Sequence, residues 1–313
     1  MCVLSSSEPL LKKLMNTKVN VLYAFLLSLF GLSSCSLFDK TEPTPAWIRI
    51  EKIELIDNPN VSEGSLSSDI TDAWVYIDDN IIGVFELPAD IPILEEGEHE
   101  LLVGPGIKVS TVSTLRDNYL FYNAYGQQVN LVPGEILTIE PQVSYRDEGS
   151  NYLYYILEDF EDSFIEMSSV SGSDAEIFRT TDPANVFEGK GSGIVTITDT
   201  TTAVGFRTSE NLQLSLNGKA VYLEIDYYTD FDLTIGLHID NGPLSAQTID
   251  YLTLRPSNDP NVTWRKAYIA LTSVLSQATN FQYTYVYFLP QVSEQNAING
   301  KVLIDNIKIM SQL

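Results

Sequence analysis

From Ala46 to the C-terminus the sequence alternates apolar and polar residues with a period of two, which suits half-buried strands and excludes a helical fold. Ile48 and Ile50, then the stretch Ile53–Ile56, alternate with charges. The run ITDAWVYIDDNIIGVFELP at 70–88 holds two alternating segments meeting at Asp78-Asp79-Asn80, residues that tolerate the backbone of a tight hairpin turn. A strand is predicted from Gly97 to Val103, broken by Gly104-Pro105-Gly106, followed by strands at 128–131 and 135–140 about Pro133-Gly134. After the polar segment 146–151, strands are predicted at 152–157, 193–198, 220–228, 231–239, 247–254, 264–271, 281–289 and 301–309. Only Leu271 to Ala278 reads as a turn or two of helix. The expectation is an all-β chain of two β-sandwich domains, 46–145 and 152–313, joined by a linker at 146–151. The strand spacing of the second is that of a jelly roll.

The first 34 residues fit neither domain. Lys12, Lys13 and Lys18 precede an uncharged apolar run, Val21–Leu32, well short of the ~20 residues a spanning helix needs. Such a run after a positive segment reads as a signal peptide, and Met15 is an attractive alternative start for it. Leu32-Ser33-Ser34-Cys35 resembles the lipobox of bacterial lipoproteins. The resemblance implies cleavage before Cys35, acylation there (palmitate among the chains), and a lipidated tether over 35–45. Ser36, rather than an aspartate, implies an outer-membrane destination, on either side of it.

With 18 basic and 42 acidic residues the chain carries a net charge of −24. Phosphate backbones and anionic bilayers need a basic footprint, so nucleic acid is excluded as a partner. Cys2 and Cys35 are the only cysteines, so no disulfide joins the domains. His99 and His238 are the only histidines and fall in different predicted domains, which disfavours a histidine metal site or a triad. No motif singles out an acidic pair for hydrolysis, and the chain is read as non-catalytic.

Residues 46–145 resemble the N-terminal domain of an uncharacterised family of Bacteroidetes lipoproteins. The resemblance is carried by Ala73-Trp74-Val75-Tyr76, Gly83 to Pro88, Ile91-Pro92, Gly104 to Ile107 and Val132-Pro133-Gly134. It implies a small β-sandwich and no activity. Residues 152–313 resemble the galactose-binding-like jelly rolls found beside glycoside hydrolases, through Asp159-Phe160-Glu161, Glu188 to Gly193 and Val302 to Ile307. That likeness implies carbohydrate binding and a structural Ca²⁺ on Glu161 and Asp305, completed by backbone carbonyls near Lys190. Alternation puts Asp305 on one face with Leu303, Ile307 and Ile309, where a carboxylate is costly unless paired or bound to a cation. The other reading is an Asp305 hydrogen-bonded to backbone at a strand end.

Phe281, Tyr283, Tyr285 and Tyr287 share one face of a predicted strand. Such a row is either a platform for sugar rings or part of the packing between two sheets. Trp264 carries the same two readings. The candidate ligand contacts are therefore Tyr283, Tyr285 and Trp264. The expected partners are the membrane, through the lipid at Cys35, and a glycan. The alternative is an adhesive or structural role, with the first domain docking to other envelope proteins.

Overall fold

The computed structural model describes residues 42–313 apart from 63, 110–114, 150, 213–217, 241–246, 257–262, 277–282 and 293–298. The signal peptide, Cys35 and most of the tether lie outside the described residues, as does Phe281.

The fold is all-β. The first half holds β1 (Ala46–Ile50), β2 (Glu54–Leu55), β3 (Ile70–Ile77), β4 (Asn80–Glu86), β5 (Ala89–Ile93), β6 (Gly97–Lys108), β7 (Arg116–Asn118), β8 (Tyr125–Leu131), β9 (Ile136–Ile139) and β10 (Gln142–Val143). One sheet runs β5-β1-β9; the facing sheet runs β4-β3-β6-β7, with β8 also on β6. Inward residues of both, among them Ile48, Ile50, Val75, Ile77, Ile91, Leu101 and Val103, make its core.

The β3–β4 hairpin turns where the sequence places it. Asp78 and Asp79 take φ of 47° and 63°, the left-handed pair that matches the twist of the flanking strands. Gly104-Pro105-Gly106, in contrast, breaks nothing, because β6 runs through it and pairs with β3 at Trp74, Ala73 and Asp72. The glycines are there for contact rather than for a turn. A Cβ on Gly104 would lie 2.7 Å from Asn118 Nδ2, and one on Gly106 3.1 Å from the Trp74 ring.

The second half holds β11 (Tyr152–Glu158), β12 (Met167–Ser169), β13 (Ile177–Thr180), β14 (Ser192–Ile197), β15 (Phe206–Thr208), β16 (Val221–Thr229), β17 (Leu233–Asp240), β18 (Gln247–Leu254), β19 (Arg265–Ala270), α1 (Thr272–Leu275), β20 (Tyr283–Pro290) and β21 (Gly300–Gln312). The inner sheet is β13-β14-β21-β16-β19, with β11 also on β21; the outer sheet is β12-β15-β20-β17-β18. Between them Leu223, Ile225, Leu233, Ile235, Leu237, Val286, Phe288, Ile304 and Ile307 form a second core. The short strands β12, β13 and β15 are absent from the sequence reading, being too brief to show a period.

Pro45–Leu313 forms one compact unit. The first sandwich lies on the far side of the inner sheet, where Tyr222, Tyr268 and Met310 join the first core. At 146–151 the chain is tied down: Arg146 Nε donates to Leu120 O at 2.7 Å and Tyr154 donates to Arg146 O at 2.8 Å.

Candidate ligand-binding face

With one face of the inner sheet covered by the first sandwich, the free broad face of the second lies on the outer sheet. Val286 and Phe288 of β20 point into the core, so Tyr283, Tyr285 and Tyr287 point away from it. The tyrosine row does not pack between the sheets. Phe206 fills the core from β15, which turns Arg207 outward; Leu237 and Ile239 do the same on β17, turning out His238. Register then sets the neighbours: Arg207 lies opposite Tyr287, His238 opposite Tyr285, and Gly236 between Tyr287 and Asp250.

The geometry of this row is specific. The Arg207 guanidinium carbon sits 3.8 Å from the centre of the Tyr285 ring. His238 approaches the other side, its ring centre 6.3 Å from that of Tyr285 and its Nδ1 3.3 Å from Thr248 Oγ1. Tyr283 stands at the end of the row with 47% of its surface exposed. Tyr287 is buried beneath the row, and burial, aided by Asp250, pushes its hydroxyl up to about 12, so it stays a donor at neutral pH. Arg207 Nη1 is buried without a hydrogen-bond partner. A face with aromatic rings, a cation and open donors is suited to holding a polar ligand with apolar faces.

Trp264 is not part of this face. It precedes β19, in the inner sheet, and its ring meets Phe187 at 5.2 Å. Tyr283 and Tyr285 are therefore brought together, and Trp264 is placed apart from them. Arg207 and His238 were missed in the sequence. Arg207 stands in a three-residue strand after a run of threonines, with nothing local that points to Tyr285.

Asp305 is buried, but not on the predicted face. The pairing of β16 with β21 slips so that Glu224 faces Lys308 while Asp226 faces Asp305, and Asn306 takes a φ of 49°. This bulge inserts one residue and inverts the alternation. Val302 and Ile304 before it, and Ile307 and Ile309 after it, enter the core, while Asp305 turns to the opposite side. There it accepts from Ser192 Oγ at 2.6 Å and from its neighbour's amide, Asn306 N, at 2.9 Å. Burial, with Asp226 and Glu188 adding repulsion, raises its carboxyl to about 7.

Glu161 accepts from Lys190 N at 2.8 Å and lies 3.7 Å from the Lys190 ammonium. The Lys190 backbone N–H thus already serves one Glu161 oxygen. Both oxygens of Asp305 face donors, and among the described residues no cluster of three or more acidic, histidine or cysteine side chains could hold a metal. As placed, Glu161 and Asp305 turn their oxygens to protein donors.

A third constellation lies between the sandwiches. Glu224, fully buried, accepts from Tyr119 at 2.6 Å and from Tyr145 at 2.9 Å. Lys266 lies 3.3 Å from it and 3.4 Å from Asp226; Lys308 lies 3.8 Å from it and donates to Ser65 O at 2.9 Å. Burial pushes the Glu224 carboxyl upward, but the two ammonium groups and two hydroxyls outweigh it and hold the carboxyl below its usual range. Among the described residues the first sandwich contributes hydroxyls and a carbonyl here. It completes a charged cluster that the second would otherwise leave open.

No protein-family model matches the sequence, and a search of the curated proteins finds no match. Among solved structures, the chain is similar to a xylan-binding family 22 carbohydrate-binding module from Paenibacillus barcinonensis. That match has 14% identity over 51% of this chain and 98% of that one, with a TM-score of 0.37. A family 11 module of a Clostridium thermocellum cellulosomal cellulase matches at 18% identity over 50% and 94%, with a TM-score of 0.34. A family 29 module from Piromyces equi matches at 13% over 51% and 91%, with a TM-score of 0.33.

Proposed function

We propose that the outer face of the second sandwich binds carbohydrate without catalysing its breakdown, in a protein held at the outer membrane by lipid on Cys35. The observation that carries the reading is the outward row of Tyr283 and Tyr285 with Arg207 stacked on the latter. Tyrosine rings offer sugar C–H groups an apolar plane, and their hydroxyls serve the ring's oxygens. The remaining side chains of the face, Thr234, His238, Thr248 and Asp250, are a mixed set of hydrogen-bond donors and acceptors. The test is retention of the full mature chain on insoluble and soluble polysaccharides, alongside Tyr283→Ala and Tyr285→Ala. Retention by the parent and its loss in both variants supports the reading; no retention on any polysaccharide removes it.

A second reading is favoured by one observation. Ile81 and Val84, on the edge strand β4, are 56% and 39% exposed, an apolar edge that suits docking to another envelope protein. Retention of this role by a Tyr285→Ala variant would separate it from glycan binding.

A further inference from the structure

Arg207 is unlike the other arginines. All seven of the chain lie in the described residues, and six have an acceptor or an acidic partner. Arg49 pairs with Asp90, Arg116 with Asp72, Arg255 with Asp232. Arg146 and Arg179 donate to Leu120 O and Phe160 O, and Arg265 to Arg255 O. Among the described residues Arg207 has none, although its Nη1 is buried. A charged donor kept from water without an acceptor costs free energy, and such groups persist where something else supplies the acceptor. Stacking on Tyr285 fixes the plane of the guanidinium and leaves its N–H edge as the part still to be satisfied.

We infer that the ligand of this face is an acidic glycan whose uronate carboxylate is received by the unpaired Arg207 fork while a sugar ring lies against Tyr283 and the edge of Tyr285. The inference rests on the carbohydrate reading above and narrows it to one substrate class. A planar carboxylate matches the guanidinium with two parallel hydrogen bonds, which a neutral hydroxyl cannot do. The acidic surface does not forbid it. At physiological salt, charges more than ~8 Å away are largely screened, and among the described residues no carboxylate is in ion-pairing distance of Arg207. Asp250, an acidic side chain of the same face, stands three strands away, across Tyr287 and Gly236. That separation places an anion-accepting end and an anion-rejecting end on one row, and so gives a bound chain a direction.

The experiment is calorimetric titration of the full mature chain with oligogalacturonate, glucuronoxylan oligosaccharides and oligoalginate. Each is compared with its methyl-esterified or uronate-free counterpart, in the parent, Arg207→Met, Arg207→Lys and Tyr285→Ala. At least one acidic form is expected to bind about tenfold or more tightly than its neutral counterpart. That margin is expected to vanish in Arg207→Met and largely in Arg207→Lys, which keeps the charge but not the fork, while Tyr285→Ala weakens both forms. Equal binding of acidic and neutral forms, or an acidic preference untouched by Arg207→Met, overturns the inference and leaves the carbohydrate face standing. Binding of neither form overturns that face as well. Thermal melting of each variant shows that loss of binding is not loss of folding.

Discussion

Tyr119 of the first sandwich donates its hydroxyl to Glu224 of the second across 2.6 Å, at a point with no access to solvent. Around this contact Lys266 and Lys308 are held with 3% and 2% of their side chains exposed, each within 4 Å of the same carboxylate. Removing the carboxylate of a buried charged cluster takes an anionic neighbour from each ammonium, and breaking such a buried pair costs about 3–5 kcal/mol. Glu224→Ala is therefore expected to destabilise the whole chain by that amount in urea unfolding, and Tyr119→Phe by about 1–3 kcal/mol. The folded carboxyl sits below its unfolded value, so its contribution is present above the unfolded pKa and disappears as pH falls through the folded one. A Glu224→Ala loss under 1 kcal/mol would mean that apolar packing alone joins the sandwiches.

Asp305 titrates the other way. Its carboxyl is raised from 3.8 to about 7 by burial, so between those values the folded chain keeps a proton that the unfolded chain has lost. Stability must fall as pH rises through that window, by up to about 4 kcal/mol, and then level off. Asp305→Asn keeps an acceptor for Asn306 N and presents an amide to Ser192 Oγ. Its melting temperature is expected to stay nearly flat across the part of that window between about pH 5 and 7, and to exceed that of the parent at neutral pH. EDTA is expected to leave both unchanged. A drop in the parent's melting temperature on chelation would restore a cation at this carboxylate.

The difference between Glu224 and Asp305 bears on what a sequence can reveal. Alternation and turn residues made the long strands readable, including the Asp78-Asp79 hairpin and the short helical segment after Leu271, because those signals act within a few residues. Asp305 was assigned to the wrong face because a one-residue bulge leaves no mark in a period-two pattern. Glu224, Asp226 and Lys308 escape a sequence reading altogether, because only the packing of a second sandwich makes their side of the sheet an interior. Tyr283 and Tyr285 were visible as a row, but their direction was fixed by which neighbours fill the core. Arg207 acquires its meaning from Tyr285, 78 positions along the chain and one strand away.

Gly193 offers a sharper packing test. In the GKGSG stretch, a Cβ at Gly193 would lie 2.5 Å from the Phe160 ring and 3.1 Å from Ile304, both fully buried. Phe160 cannot retreat easily, since its own backbone has a φ of 54° and its amide is held by Glu158 at 2.6 Å. Gly193→Ala is expected to cost about 1–3 kcal/mol through overpacking. Adding Phe160→Leu should recover part of that loss, whereas a double variant no better than the sum of its parts would place the strain elsewhere.

Arg207 and Arg116 should respond oppositely to the same substitution. Arg116 lies against Asp72, whose side chain is 1% exposed, and also pairs with Glu86 at 3.2 Å. Arg116→Met strands the Asp72 carboxylate in the sheet and is expected to cost about 2 kcal/mol or more. Arg207→Met strands no described partner, because among the described residues no carboxylate or carbonyl depends on the guanidinium. It removes a buried donor without an acceptor and keeps an apolar stem beside Tyr285. Its thermal midpoint is expected to match or exceed that of the parent. A group that costs stability where it stands is characteristic of a side chain retained for a ligand. If Arg207→Met instead melts well below the parent, the guanidinium is a structural stacking partner of Tyr285, and the case for a waiting acceptor is lost.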